Sequence, residues 1–339
     1  MFSLTGIETE QACLQGKNIN TLSQREAMGL SQQVQFHQMA DLGSVYQRLV
    51  QHSTTQLLEI MTDASRAFKE RYVAGNLLAV IGDPRISTLK PEMIVIQGTT
   101  VQLGLPKEQV TAVVDSYHQY GVLPEWIEKE TPTYSVTLDT FALGRYCVTN
   151  WEYFCFLSES GYHELPSSWV FGCYPHQRAN YPVYTVSEQA AQAYTEWLSQ
   201  KTERQFHIPT EAQWEYAAAG GDRREFPWGE TFIADRCNSV ESGIIDATPV
   251  GIFPLGAGPF GHLDLAGNVE EYTSDDYRPY HTGPMVEDDL WLSQGEVYRV
   301  ARGGSFTRFR DLCRTRRRHG RYDSDLYVMG FRLAEKLVN

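Results

Sequence analysis

The spacing of apolar residues separates a helical first quarter of the chain from a longer mixed region. Apolar side chains recur at helical spacing at Leu57, Ile60, Met61, Ala64 and Phe68. The following segment from Arg71 to Ile81 is also helical in pattern, and Gly82 and Pro84 are typical of a helix end. We therefore predict an N-terminal helical region over residues 1–88, whose helices could dock another protein.

Beyond residue 88 the pattern mixes short strands with capped helices. Met93–Gln97 is a short apolar strand, and Tyr134–Gly144 alternates as one strand would. Thr149 with Glu152, and Thr210 with Gln213, have the spacing of capping boxes, and Ser187 is placed to cap a third helix. After Trp228 regular patterns fade into loops. The pattern predicts a second domain of the α+β class over residues 89–339, rich in irregular structure.

Composition narrows the function classes. The chain has 339 residues, 42% hydrophobic, and a formal net charge of −13, which argues against a nucleic-acid or membrane-surface binder. No apolar run has the length of a membrane span and the N-terminus lacks a signal-peptide pattern, so we expect a cytoplasmic protein. The six cysteines are scattered without a CxxC pair, which favours buried thiols over a disulfide framework.

One stretch, residues 261–276, combines alternating apolar residues, a turn and several acids. Gly267 and Asn268 tolerate positive φ, so a tight turn is expected there. Such a turn can direct backbone carbonyls toward one point, and Asp264 and Glu271 could add carboxylates. Carbonyl and carboxylate oxygens are the ligands that calcium prefers. The alternative, a tight turn between buried strands with solvated acids, stays open on this stretch alone.

Five motifs, in order, resemble those of the formylglycine-generating enzyme (sulfatase-modifying factor) family. The matching segments begin at Pro209 (PTEAQWEYAA), Phe226 (FPWG), Asp264 (DLAGNVEEY), Arg302 (RGGSF) and Gly330 (GFRLA). The resemblance implies an α+β fold of the C-type lectin-like type. It does not by itself imply the activity, because one fold carries several functions.

The resemblance also implies metal sites. A structural calcium site would use Asp264 and Glu271 and the carbonyls of Gly267 and Val269. A second site matches only at two residues, Asn238 and Ser239, with Asp246 as a candidate acid. Glu270 stands where family members usually have tryptophan.

Two cysteines after the Gly-Gly-Ser-Phe motif bind copper in the family's oxidases. The corresponding positions here are Arg308 and Cys313, so one of the two thiols is replaced by a guanidinium group. Soft Cu(I) needs two sulfurs, and we therefore do not expect copper or formylglycine-generating activity. Related iron-dependent sulfoxide synthases carry an HxxxHxE iron motif, which this chain lacks.

Arginine is concentrated between residues 302 and 321. One interpretation is that several arginines pair with acidic loops, as we expect for Arg302, Arg314 and Arg332. The other is a recognition surface for an anionic ligand or an acidic peptide, with exposed guanidinium groups at Arg308, Arg310 and Arg317. The full set of candidate ligand-binding residues is Arg308, Phe309, Arg310, Arg317, His319 and Tyr322.

Two functional hypotheses follow. In the first, the chain is a catalytically degenerate family member that binds or displays a ligand through its C-terminal segment, as retroelement-diversified relatives do. In the second, it is an enzyme with altered oxidative chemistry that uses Cys313 as nucleophile or ligand.

Overall fold

A computed structural model describes residues 14–31, 39 and 41–337. Its first α-helices confirm the helical character of the N-terminal region over the residues described. Their bounds are α1, Gln24–Ala27; α2, Gly43–Leu49; α3, Thr54–Thr62; and α4, Phe68–Ile81. The C-cap of α4 is Gly82, as its sequence predicts.

The N-terminal helices pack directly on loops of the following domain. The ring of Phe68 stacks on that of Phe253 with centroids 5.1 Å apart. Asn180 donates its side-chain amide to the backbone oxygen of Gly75 at 3.0 Å. A side chain at Gly75 would bring a Cβ within 2.8 Å of Pro249, so the glycine permits this close approach.

Three small sheets organise the second domain in the described residues. Their strands are β1, Met93–Ile96; β2, Thr99–Leu103; β3, Tyr134–Leu138; β4, Phe141–Cys147; β5, Gln205–His207; β6, Glu270–Asp276; β7, Arg299–Arg302; β8, Met329–Gly330; and β9, Arg332–Lys336. The sheet orders are β1-β4-β9-β5, β2-β3 and β7-β6-β8. All pairs are antiparallel except β6 with β8.

The prediction of one strand over Tyr134–Gly144 is wrong. The chain leaves the ladder at Asp139 and Thr140, so β3 pairs with β2 while β4 joins the larger sheet. The apolar positions change phase at this break, from Val136 and Leu138 to Phe141 and Leu143. The first four residues of β4 are also all buried, so its two faces do not alternate as those of β3 do.

The predicted helix starts are confirmed by their caps. Thr149 and Thr210 each form a complete capping box, and Ser187 accepts from the backbone N–H of Ala190. The remaining α-helices are α5, Val110–Tyr117; α6, Pro124–Glu128; α7, Asn150–Ser160; α8, Glu188–Thr202; α9, Glu211–Ala219; and α10, Asp289–Ser293. Within the described part of the chain, none of the helices has the length and apolar character needed to cross a membrane.

Residues 220–269, all of them described, contain only turns, isolated bridges and short 3-10 segments. The predicted turn is present, with φ of 77° at Gly267 and 66° at Asn268. A Cβ on Gly267 would lie 2.5 Å from the backbone oxygen of Asn238, so glycine is required there on both grounds. The turn delivers the chain into β6, whose first residue is Glu270.

Candidate functional site

Most C-terminal arginines are buried partners of carboxylates from distant segments. Arg302, on β7, lies 2.6 Å from Glu211 and 2.9 Å from Glu215, both on α9. The remaining buried pairs join Arg314 to Glu130 and Glu225, Arg318 to Glu211, and Arg332 to Glu271. The structural interpretation is thus confirmed for Arg302, Arg314 and Arg332.

The expected exposure of Arg308 and Arg317 is wrong. They are only 3% and 1% exposed, and Arg318 is buried beside them. The segment passes through the interior, where carbonyl groups and acids from other elements surround it. Arg317, for example, donates to the backbone oxygens of Trp126 and Arg318 at 3.2 and 2.7 Å. Of the three predicted surface arginines, Arg310 alone keeps a partly exposed side chain, at 34%, and it pairs with Glu241.

Four buried side chains meet without satisfying one another, and we call them the polar cluster: Glu270, Arg308, Arg317 and His319. Backbone bonds fix their positions. Glu270 begins β6 beside Met329, and the carbonyl of Arg308 accepts from Val240 at 3.0 Å. His319 exchanges two backbone hydrogen bonds with Ala301.

The polar cluster holds several buried polar atoms without a hydrogen-bond partner. These are both carboxylate oxygens of Glu270, Nη1 of Arg308, Nε of Arg317 and Nδ1 of His319. Glu270 Oε2 and His319 Nδ1 are 3.2 Å apart, but they are not oriented to hydrogen-bond to each other. Asp311 lies 3.7 Å from Arg317 Nε, too far for a hydrogen bond. Buried polar groups are nearly always paired, so this concentration indicates a missing partner such as a ligand or ordered water.

Electrostatics divide the polar cluster into two sides. Burial raises the pKa of Glu270 to about 7, with Arg308 and Arg317 opposing that rise. Burial, together with the same two guanidinium groups, lowers the pKa of His319 well below its usual value. Near neutral pH the imidazole is therefore uncharged and the Glu270 carboxyl is partly ionised. The arginines offer donors, whereas Glu270 offers acceptors.

The predicted ligand residues are only partly brought together. Arg308, Arg317 and His319 belong to the polar cluster, and Tyr322 lies at its edge, its ring 5.5 Å from that of Tyr327. Phe309 instead stacks on Tyr120. Tyr327, which the sequence did not single out as a ligand residue, also belongs here. Its ring is stacked on that of His319 at 5.3 Å and lies beneath the guanidinium of Arg308 at 5.0 Å.

Glu270 was also missed as a site residue. Its sequence signal was an acid at a position where the family usually has tryptophan, at the start of β6. The structure places Glu270 beside Arg308 and Arg317. Glu270, at the family's usual tryptophan position, and Arg308, at the family's first cysteine position, therefore belong to one site.

Cys313 is not an isolated thiol. It is fully buried and lies in one apolar cluster with Cys237, Phe226 and Ala266. The contact with Cys237, followed by burial, raises the pKa of the Cys313 thiol well above its usual value. The sequence prediction overlooked this partner because Cys237 is distant along the chain. Two adjacent sulfurs fit a soft monovalent ion in number, but a thiol kept protonated is a poor nucleophile.

In the expected calcium site, the carboxylate of Glu271 already accepts hydrogen bonds from other side chains of the protein. Arg332 donates to both oxygens of Glu271 at 2.6 Å, and Trp214 and Cys147 take the remaining acceptor positions at 2.7 and 3.2 Å. A carboxylate has about four acceptor positions, and all four are used here. The arrangement does not fit a calcium ion bound by Glu271.

The other expected calcium ligands lie close by. Asp264 accepts from the backbone N–H of Gly251 at 2.7 Å, and burial raises its pKa to about 6. Gly267 and Val269 lie between Asp264 and Glu271 in the predicted turn. Calcium binding at Asp264, Gly267 and Val269 stays a prediction that rests on the resemblance.

The second expected calcium site is also built into hydrogen bonds within the protein. Asn238 donates to the backbone oxygen of Asp246 and accepts from Ser242, while Ser239 donates to Glu241. The carboxylate of Asp246 forms a bidentate pair with Arg178. Among residues 14–31, 39 and 41–337, no three histidine, cysteine or acidic side chains are grouped to hold a metal ion.

The fold and its motif-bearing turns define a protein of the formylglycine-generating enzyme type. Residues 82–337 match the Sulfatase-modifying factor enzyme 1-like domain. The chain belongs to this family.

Relatives in the family carry different activities. The chain is 31% identical to hercynine oxygenase of Mycobacterium tuberculosis over 214 residues, which cover 53% of this chain and 48% of the relative. It is 28% identical to formylglycine-generating enzyme of the same organism over 215 residues, covering 45% of this chain and 69% of that enzyme. The chain thus spans about half the length of the hercynine oxygenases it matches.

A solved structure supports the same fold assignment. PvdO from Pseudomonas aeruginosa aligns with a TM-score of 0.56 and 27% identity, covering 74% of this chain and 96% of that one. The expectation of an α+β fold of the formylglycine-generating enzyme type is confirmed.

The Glu271–Arg332 pair predicts how Glu271→Ala will behave. Removing the carboxylate leaves a buried guanidinium group uncompensated, which costs about 3–5 kcal/mol of the free energy of unfolding. We expect the same loss, measured by urea denaturation, in calcium and in excess EDTA. The matched control is Glu92→Ala, which removes the partner of Arg145 in a pair whose side chains are both exposed, and it should cost about 1 kcal/mol or less. A loss that appears only when calcium is present would identify Glu271 as a calcium ligand.

Proposed function

We propose that this family member binds a small anionic ligand at the polar cluster and is not a copper-dependent formylglycine-generating oxidase. The observation that carries this proposal is the set of unpaired buried atoms on Arg308, Arg317 and Glu270. Burying a charged group without a partner is costly, so such an arrangement is typical of sites that are completed by something outside the chain.

The chemistry of the unpaired donors favours a carboxylate or phosphate group. Guanidinium groups form charge-assisted hydrogen bonds with these anions, and the bonds strengthen away from bulk water. Arg308 and Arg317 each have an unpaired nitrogen, whereas Arg302, Arg314, Arg318 and Arg332 are paired with acids. The anion would therefore take the place of a missing carboxylate beside Arg308 and Arg317.

Burial of the polar cluster favours a small ligand over an acidic peptide or a displayed recognition surface. A flat surface would need exposed guanidinium groups, and Arg308 and Arg317 are buried. The family's diversity agrees with a changed role, since relatives include a hercynine oxygenase and a formylglycine-generating enzyme. Arg308 stands where the resemblance places the first copper-binding cysteine, and it supplies a donor to an anion instead.

The second candidate function is an enzyme with altered oxidative chemistry at Cys313. The observation that favours it is the contact between the Cys313 and Cys237 thiols, which restores two adjacent sulfurs despite the arginine at position 308. Burial and the raised thiol pKa weigh against it, because nucleophilic cysteines are usually accessible and acidic.

Binding of simple anions tests the first proposal. Sodium propionate and inorganic phosphate, titrated into the protein by calorimetry and by thermal unfolding, should include at least one saturable binder at a single site. A ligand at a hundredfold excess over its Kd stabilises the folded state by about 2.7 kcal/mol. Arg308→Met should abolish binding. Arg310→Met, which alters an arginine paired with Glu241, should retain it. Equal loss in both variants, or no binding by the wild-type protein, contradicts the proposal.

An activity assay tests the second candidate. Incubation with Cu(I), oxygen and a peptide that contains the sulfatase-type cysteine motif should yield no aldehyde, because the first copper-binding position is an arginine. Aldehyde that is formed by the wild-type protein and lost in both Cys313→Ser and Cys237→Ser would establish the oxidase instead.

A further inference from the structure

The polar cluster contains an acceptor that a purely anionic ligand would not need. The guanidinium donors of Arg308 and Arg317 are accompanied by the Glu270 carboxyl, whose two oxygens both lack a partner. An anion that approaches the arginines also approaches this carboxyl, and two like charges at close range repel. The site therefore offers both an anion-binding and a cation-binding element.

We propose that the ligand is a small zwitterion, whose carboxylate binds Arg308 and Arg317 and whose ammonium group binds Glu270. This inference rests on the proposed anion-binding function and names the substrate class of the same site. An ammonium group supplies three donors, which matches the unpaired oxygens of Glu270. A carboxylate supplies the acceptors that Arg308 Nη1 and Arg317 Nε lack.

The charges around the polar cluster agree with a ligand of no net charge. Arg308 and Arg317 face Asp311 and Glu270, so two positive groups are accompanied by two acids. His319 is uncharged. The charge of Lys129 also lowers the pKa of His319, but Lys129 is paired with Asp288, whose charge has the opposite effect. The Ser305 hydroxyl faces Glu270 but donates to Thr307, whose own hydroxyl donates to the backbone oxygen of Leu326. The Tyr327 hydroxyl beside Arg308 is also neutral. A zwitterion adds one charge of each sign and leaves this balance unchanged.

The experiment compares amino acids with the same acids lacking the amine. The probes are glycine, β-alanine and 4-aminobutyrate against acetate, propionate and butyrate, titrated by calorimetry at pH 7. We expect one amino acid to bind at least tenfold more tightly than its matched acid. The matched acid should bind weakly.

Glu270→Gln separates this inference from the function it rests on. The variant should bind acid and amino acid with similar affinity, because the carboxylate that would hold the ammonium group is gone while Arg308 and Arg317 remain. If wild-type protein binds the acids as tightly as the amino acids, the ligand is not a zwitterion and the anion-binding function stands. If it binds neither class, both proposals fail. The wild-type comparison decides the outcome even if the variant does not fold.

Discussion

The buried carboxylate of Glu211 is the point on which the C-terminal half of the structure depends. It accepts from Arg302 on β7 and from Arg318 in the irregular segment beyond, and it begins α9. Burial alone would raise the pKa of Glu211, but Arg318 and Arg302 lower it to about 2. One ionised side chain thus joins a helix, a strand and a loop that have few backbone hydrogen bonds between them.

Such pairs explain how a domain with long irregular stretches is held in one arrangement. Removing one member of a buried pair leaves an uncompensated charge, which is far more costly than the loss of an exposed pair. The pairs Arg314–Glu130 and Arg332–Glu271 act in the same way at two other points. Arg308 and Arg317 depart from this rule, because their nearest acids, Glu270 and Asp311, do not complete hydrogen bonds with them.

Local features of the fold could be predicted from sequence, whereas partner identities could not. The capping boxes at Thr149 and Thr210 and the turn at Gly267 depend on residues within three or four positions of one another. The burial of Arg317 and the contact between Cys237 and Cys313 depend on segments far apart in the chain. The break between β3 and β4 was missed for the same reason, since it is set by different strand partners.

The polar cluster shows what composition can and cannot say about function. The concentration of arginines drew attention to the correct segment, and Arg308 at the family's first cysteine position argued against copper. The exposure of Arg308 and Arg317 was predicted wrongly because three consecutive arginines in a sequence suggest a solvated surface. In the structure, the acids and backbone carbonyls that contact Arg317 and Arg318 come from α6, α9 and neighbouring loops.

Arg302 is a structural partner of buried acids, whereas Arg308 keeps a nitrogen that we propose a ligand completes. Urea denaturation of Arg302→Met and Arg308→Met at pH 6 tests this contrast most directly. Arg302→Met leaves the buried Glu215 without its arginine and Glu211 with Arg318 alone, and it should lose about 3–5 kcal/mol of the free energy of unfolding. Arg308→Met leaves Glu270, which is mostly protonated at pH 6, and Asp311, which keeps Arg317 beside it. This variant should change the free energy of unfolding by about 1 kcal/mol or less, or increase it. A loss in Arg308→Met as large as that in Arg302→Met would contradict the account.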